Sequence, residues 1–405
     1  MLLNAFYRMS TRICNLLERK FRMAMIYIDN SATTKPFPEA IQSYITVSQN
    51  YFGNPSSIHR IGMEAEKLLI QARDQIANIL DVKSSEVFFT SGGTEGNNTA
   101  LKGIAYTNRE RGKHIITTKI EHDSIHKVME QLEKDGFSIT YLPVDRYGQV
   151  SVQDLEKSIR KDTILVSIMH VNNEIGSIQP IEEIGNLLSS YPNIVFHVDG
   201  VQGIGKKEIS LKKANIDVYT ISAHKFHGLK GNGVLYVREG RKFEPLLLGG
   251  GQEGNFRSGT ENVAGAVSTA KALRMQIENQ KNKMEHIHKL NEFLRKQLSR
   301  IDGVFIHSPL ENKSVPHILN FSIEGVKAEV FVHALGDKNI YLSTTSACSS
   351  KTNKPSKTLL AIGVPKQIAE SSFRISLSYE NTLEEMQTLT GTITETTEWL
   401  RGVMK

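Results

Sequence analysis

Two side chains able to act on one heterocyclic ring, Asp199 in FHVDGVQ and Lys225 in TISAHKFHGLKGNG, stand 26 residues apart, each just past an apolar run. An unpaired carboxylate at the end of a buried strand is costly; a protonated ring nitrogen would satisfy it, and so would the start of a following helix. A lysine near apolar surroundings has its pKa lowered and can form Schiff bases. A surface lysine is the plain alternative, against which Ser222, His224 and the nearby glycines argue. The separation is about one strand–helix–strand step, so Asp199 and Lys225 can reach opposite ends of the same ring.

Three further segments add chemistry. FFTSGGTEGNN reads as a strand, a Gly-Gly turn and a helix beginning near Thr94. Backbone N–H groups at such a start, with a hydroxyl beside them, form an anion cradle suited to a phosphate, or simply a capped helix. It is not a Walker A sequence, because no Gly-Lys-Ser/Thr follows. His122 in TKIEHDS lies just past a strand end, where it can stack on a planar cofactor or cap the next helix. Cys348, one of two cysteines, sits in STTSACSSK among hydroxyls and ahead of TNKPSK, the composition of an exposed loop. It is either a chance surface thiol or a nucleophile.

These residues need a scaffold, and alternating patterns supply one. EVFFT, HIITTK, SITYLPV, TILVSIMHV, NIVFHVD, DVYTIS and GVLYVR read as strands. HRIGMEAEKLLIQARDQIANIL, the segment from Thr94 to Arg111 and SIHKVMEQLEKDG carry apolar positions at helical spacing. Continuous apolar strands separated by helices imply an α/β fold with an open parallel sheet and ligands at the strands' carboxyl ends. After about Thr260 the texture becomes α+β. One long helix is expected from Ala266 to Leu298, strands at PHILNFSI and SFRISLS, and a last helix in which TLTGTITETTEWL forms the exposed face.

Composition narrows the class. Hydrophobic content of 39% and charged content of 23% are those of an ordinary globular enzyme. No apolar run approaches a membrane span, and two distant cysteines give neither a disulfide framework nor a CxxC metal pair. The net charge is +6, of which residues 1–24 carry +4, leaving +2 for the other 381 residues. A nearly neutral body argues against direct nucleic-acid binding. The leader is Arg-rich like a transit peptide, or a disordered extension; the second reading is preferred, with Cys14 inert and a cytoplasmic location.

Taken together, YIDNSATT, FGNPSSIHRIG, FTSGGTEGNN, EHDSI, MHVNNEIGSIQPI, HVDGVQ, SAHKFHGLKGNGVLYVR, GGGQEGNFRSGT, SACSS and SSFRISLS resemble the cysteine desulfurases, pyridoxal-phosphate enzymes of the class V aminotransferase group. The likeness runs from about Met25 to Trp399, and the span from Cys348 to AIG resembles the NifS/IscS-type branch, whose cysteine sits on a mobile loop. The departures are a second glycine in TSGGTEGNN and no proline before the second lysine of HKFHGLKG.

The resemblance implies a fold-type I architecture. A large cofactor domain would span 36–281, and a small α+β domain carrying the cysteine loop would combine 25–35 with 282–405. It implies pyridoxal 5'-phosphate bonded to Lys225, with Asp199 on the ring nitrogen, Gln202 on the ring oxygen and His122 on the ring face. Thr94, Ser222 and His224, with Gly93 backbone support, would bind the phosphate, and Thr260 the phosphate of the neighbouring subunit of a homodimer. Asn30, Asn173 and Arg374 would bind the L-cysteine substrate, Asn173 also lying against the cofactor. Cys348 would take the sulfur for acceptor proteins, an iron–sulfur scaffold or a tRNA-thiolation enzyme. An aminotransferase or selenocysteine lyase on the same scaffold is the alternative.

Overall fold

Segments that are apolar at every position, such as Thr163–Met169 and Val195–Asp199, bury both faces and become central strands. The computed structural model describes residues 25–278, 280–310, 312–345 and 355–403. Cys14 and the rest of 1–24, and Cys348, lie outside the described residues.

The chain begins with β1 (Ile26–Tyr27), α1 (Pro38–Asn50) and α2 (Arg60–Leu80). Then follow β2 (Val87–Thr90), α3 (Gly93–Asn108), β3 (His114–Thr118), α4 (Asp123–Lys134) and β4 (Ser138–Leu142). Next are α5 (Val152–Ser158), β5 (Thr163–Met169), α6 (Ile181–Leu188), β6 (Val195–Asp199), β7 (Val218–Ser222) and β8 (Gly233–Val237). They make a seven-stranded sheet of order β2-β8-β7-β6-β5-β3-β4. All neighbours are parallel except those of β8, which runs antiparallel to both β2 and β7. Alternate residues feed two cores: Ile116, Val166 and Phe196 on one face, Ile115, Leu165 and Val195 on the other.

The expected long helix is two: α7 (Val263–Ile277) and α8 (Gln280–Leu298). Glu278 turns out of helical geometry (φ −55°, ψ 124°), and Lys283 Nζ donates to the Met275 carbonyl at 2.6 Å. A side chain thus takes up an end carbonyl of α7. Beyond lie β9 (Val304–Ile306), β10 (Ile318–Ile323), α9 (Ala328–Asp337), β11 (Ile340–Tyr341) and β12 (Ser343–Thr344). Then come α10 (Lys357–Ala361), α11 (Lys366–Glu370), β13 (Ser372–Ser376) and α12 (Leu383–Val403). A four-stranded antiparallel sheet, β12-β13-β10-β9, forms here, while β1 returns from the N-terminal side to pair in parallel with β11. Ile26 and Ile28 accordingly share a core with Leu319, Phe331, Phe373 and Ile393.

α12 corrects a second expectation. Thr390, Thr392, Thr396 and Thr397 are buried rather than solvated. Thr390, Thr392 and Thr397 donate their hydroxyls to the carbonyls four residues back, at 3.0, 2.9 and 2.7 Å. With its hydroxyl satisfied inside its own helix, threonine packs as a small branched apolar residue. Among the described residues no helix is long and apolar enough to cross a membrane.

Phe331 of α9 is fully buried with its ring centroid 4.7 Å from that of Phe373. Phe331→Ala should lower stability by about 3–5 kcal/mol through the cavity it leaves. Denaturant unfolding monitored by circular dichroism measures this.

Candidate active site

The sheet sets the site, because the carboxyl ends of β2, β3, β5, β6 and β7 open on one side. A cavity of about 320 Å³ there is lined by Gly93, Thr94, His122, Asn173, Asp199, Gln202, Ser222, His224, Lys225 and Arg374. Ser31, Ala32, Asn97, Ser124, Met169, Val171 and Val201 complete it.

Each side chain is held by a local device. Asp199, the last residue of β6, is buried; Oδ2 accepts from Asn97 Nδ2 at 2.9 Å and Oδ1 from the Val201 N–H at 3.0 Å. His122 is the N-cap of α4, its Nδ1 accepting from the Ser124 N–H at 3.1 Å. Capping and cavity lining are therefore one arrangement. Lys225 Nζ donates to the carbonyls of Ser31 at 2.5 Å and Ala32 at 2.8 Å. Gln202 Nε2 donates to the same Ser31 carbonyl at 3.0 Å. Arg374, in the middle of β13, reaches across with Nη1 to the Asn173 carbonyl at 2.9 Å and Nη2 to Asp29 Oδ1 at 3.0 Å.

The start of α3 is the anion end. Gly92 (φ 146°) precedes the helix and no side chain caps it. A Cβ on Gly93 would fall 2.9 Å from Val201 Cγ2, so a side chain there would require Val201 to move. Beside it, burial first and then the charges of Lys225, Lys230 and Lys206 push His224 down to about 4, leaving a neutral ring. Neutral imidazole, hydroxyls of Thr94 and Ser222 and a helix N-terminus suit a phosphate.

Two predicted residues stand apart. Asn30 is buried beside the cavity without lining it; its amide donates to the Ser376 carbonyl at 2.9 Å. Its chain neighbours Ser31 and Ala32 line the wall instead. Thr260 is exposed and borders a different cavity of about 170 Å³, with Gly231, Asn232, Gly233 and Arg257. Cys348 is outside the described residues.

Sequence reasoning missed Asp29, Ser31, Ala32, Asn97 and Glu121. Glu121 is buried one residue before His122; its Oε1 accepts from Thr118 Oγ1 at 2.8 Å and the Met169 N–H at 3.0 Å. Burial pushes its carboxyl up to about 8, the hydrogen bonds oppose this, and the nearby Asp199 charge adds to it. The only signal was a carboxylate adjoining a strand-end histidine.

The site can be tested against pyridoxal 5'-phosphate. The Ser31 hydroxyl and the Asn97 amide oxygen are buried without partners beside the cavity, as expected of groups facing a polar guest. A lysine, a buried carboxylate, a helix start and a flat-faced histidine meet in one enclosure. The residues fit the cofactor.

Residues 26–389 match the model of the family described as aminotransferase class-V. A NifS/IcsS protein homolog of Lactobacillus delbrueckii subsp. bulgaricus is 49% identical over 89% of this chain and 94% of its own length. Cysteine desulfurase IscS of Dictyoglomus turgidum is 43% identical over 93% of this chain and 96% of its own. A solved structure titled NifS-like protein superposes with a TM-score of 0.88 at 38% identity, covering 93% of this chain and all of that one. The chain belongs to the class V aminotransferases and, within them, to the NifS/IscS cysteine desulfurases, whose cofactor is pyridoxal 5'-phosphate.

Glu121 has a pH signature. With its folded-state pKa near 8 against an ordinary 4.5, the folded protein binds the proton more tightly. Stability from this group is present below pH 4.5 and is lost as pH rises through 8. Glu121→Gln should therefore gain on the parent across that interval, by on the order of 2 kcal/mol. Thermal unfolding of both proteins at pH 5 and pH 8.5 measures it.

Proposed function

We propose that this chain converts L-cysteine to L-alanine, takes the sulfur onto Cys348 as a persulfide and passes it to acceptor proteins. The observation that carries this reading is the meeting of Lys225, Asp199, His122 and Arg374 around one cavity. Pyridoxal 5'-phosphate, when bound, supplies a sink for negative charge that develops next to an amino group.

The residues divide the work. Lys225 would bond the cofactor and, as a free amine, would move the substrate's α-proton. Asp199 keeps a proton on the ring nitrogen, because a carboxylate there stabilises the charged form. Thr94, Ser222, His224 and the Gly93 backbone would hold the phosphate, Gln202 would meet the ring oxygen and His122 would cover the ring. Arg374 offers a planar fork to the substrate carboxylate, with Asn173 beside it. The Cys348 thiolate attacks the substrate sulfur; the C–S bond breaks, an S–S bond forms, and the carbon gains a proton to leave as alanine. No outside oxidant or reductant is needed.

A homodimer is part of the proposal. Phe52, Ile58, Met63 and Leu248 are exposed, and the segments 55–70 and 250–261 jointly line a cavity of about 560 Å³. Apolar surface of this kind suits a second copy, whose phosphate Thr260 would reach. An iron–sulfur scaffold or a tRNA-thiolation enzyme is the acceptor, and the cytoplasm the compartment.

Lys225→Ala should lose covalent attachment of the cofactor and all turnover. Borohydride reduction of the parent followed by peptide mapping should find the label on Lys225; a label on Lys230 would refute the assignment. Cys348→Ser should keep the cofactor yet lower alanine release by at least about 100-fold, since a serine hydroxyl is far less ionised than a thiol near neutral pH. Alanine and protein-bound sulfur, followed together from L-cysteine without a keto acid, also separate this reading from an aminotransferase.

A further inference from the structure

Behind Gln202 lies a lysine that the reaction above does not use. Residues 200–207 form consecutive turns: the Ile204 N–H donates to the Gly200 carbonyl, and those of Lys206 and Lys207 donate to the Gly203 carbonyl. A four-residue step through such turns sets Gln202 and Lys206 side by side. The backbone is pinned there. A Cβ on Gly203 would fall 2.1 Å from His170 Nδ1, and Gly205 (φ 69°) lies against Gln276, where a Cβ would sit 2.5 Å from Cγ.

Part of the Lys206 side chain touches solvent, while its amine end reaches inward to Gln202 Oε1 at 3.2 Å. We propose that Lys206 is a positioning residue for the cofactor, fixing the Gln202 amide so that its oxygen points away from Ser31 and its NH2 group faces the Ser31 and Lys225 side of the cavity. A carbonyl oxygen only accepts and an ammonium only donates, so Ser31 O on one side and Lys206 on the other demand the same orientation. Ser31 O also takes a hydrogen bond from Lys225 Nζ. When Lys225 leaves that carbonyl to bond the cofactor, the Gln202 amide is held from its two ends, by the Ser31 carbonyl on its NH2 group and by Lys206 on its oxygen.

The charge around Lys206 gives the role a pH dependence. Burial of its amine, then the charges of Lys225 and Arg374, bring Lys206 down to about 7. Three histidines also feel its charge, His224, His227 and His317, and burial depresses all three. Asp29 stands beyond Arg374 as its counter-ion. The Lys206 amine therefore changes charge close to neutral pH, and its hold on Gln202 Oε1 is charge-assisted only below that pH.

The inference rests on the reading of the cavity as the pyridoxal-phosphate site. Its test uses the full chain loaded with pyridoxal 5'-phosphate and follows the pH titration of the cofactor's visible absorption. The parent is compared with Lys206→Met, Gln202→Leu and the double variant. Lys206→Met should move the midpoint upward by roughly half a pH unit or more, because a cation and an oriented donor are both lost. In the Gln202→Leu background the same replacement should have less than half that effect, since part of it passes through Gln202. If Lys206→Met does not fold, Lys206→Gln takes its place under the same criteria.

An unchanged midpoint, or a full shift that persists without Gln202, overturns the role of Lys206. A parent that takes up no cofactor overturns the site reading and this inference with it. Cofactor-free protein supplies a second readout. The unfolded chain binds the Lys206 proton more tightly than the folded one between pH 7 and 10.5, so the parent should gain in Tm over Lys206→Met as pH rises through that window. A gap that stays flat means the amine is not buried among these groups, and also overturns the proposal.

Discussion

The hold of two backbone carbonyls, Ser31 and Ala32, on the amine of Lys225 is the contact on which the site depends. Those carbonyls belong to the segment that follows β1, and β1 is bound to β11 in the C-terminal half of the chain. The same segment places Asp29 against Arg374 and the Asn30 N–H on the Ser376 carbonyl. Four residues after Asn30 the Thr34 N–H donates to the His224 carbonyl, and Thr34 Oγ1 accepts from the His227 N–H. Residues 29–34 therefore tie the β7 exit, which carries Lys225, to β13, which carries Arg374. A shift of this strap would move Lys225 and Arg374 together, the two residues to which we assign the cofactor and the substrate carboxylate.

Each group at the strand ends has a second tie that limits its freedom. Asp199 is gripped by Asn97, which also donates to Ser124 Oγ at 2.8 Å, and Ser124 in turn meets His122. The carboxylate, the amide, the hydroxyl and the imidazole thus form one hydrogen-bonded line across the cavity floor. Such a line keeps side chains in place without waiting for substrate, so little reorganisation remains to be done when charge develops.

What the sequence revealed follows from range. Asp199 and Lys225 were legible because each sits at the end of a continuous apolar run, and a charge in that position must be satisfied locally. His122 and the Gly92–Gly93 turn were legible because each follows an apolar run that reads as a strand and precedes a helical pattern. Lys206 looked like any lysine in a KK pair, since the inward reach of its amine depends on turns pinned by His170 and Gln276, residues distant in sequence. Asn30 came to the substrate only through the family resemblance, and nothing local in the sequence shows that its buried amide reaches the Ser376 carbonyl, 346 residues away. The threonines of α12 misled because composition cannot tell a solvated hydroxyl from one bonded back to its own helix. The break between α7 and α8 escaped notice because no glycine or proline marks it.

Electrostatics explains why the cavity suits anions over a wide pH range. Burial alone holds His197 near 3, and burial with the Lys207 charge does the same for His170. With His224 and His227 near 4, four imidazoles packed around the β6 and β7 ends carry no charge above about pH 5. Glu121 is likewise uncharged at neutral pH, and burial raises Glu174, although the bond from Ser356 and the Arg374 charge oppose it. The formal charges facing the cavity then reduce to Asp199 against Lys225 and Arg374, with Asp29 pairing Arg374 from outside the lining. An anionic guest therefore meets Lys225, Arg374 and hydrogen-bond donors, and Asp199 is the one aspartate or glutamate in the lining, which we assign to the ring nitrogen.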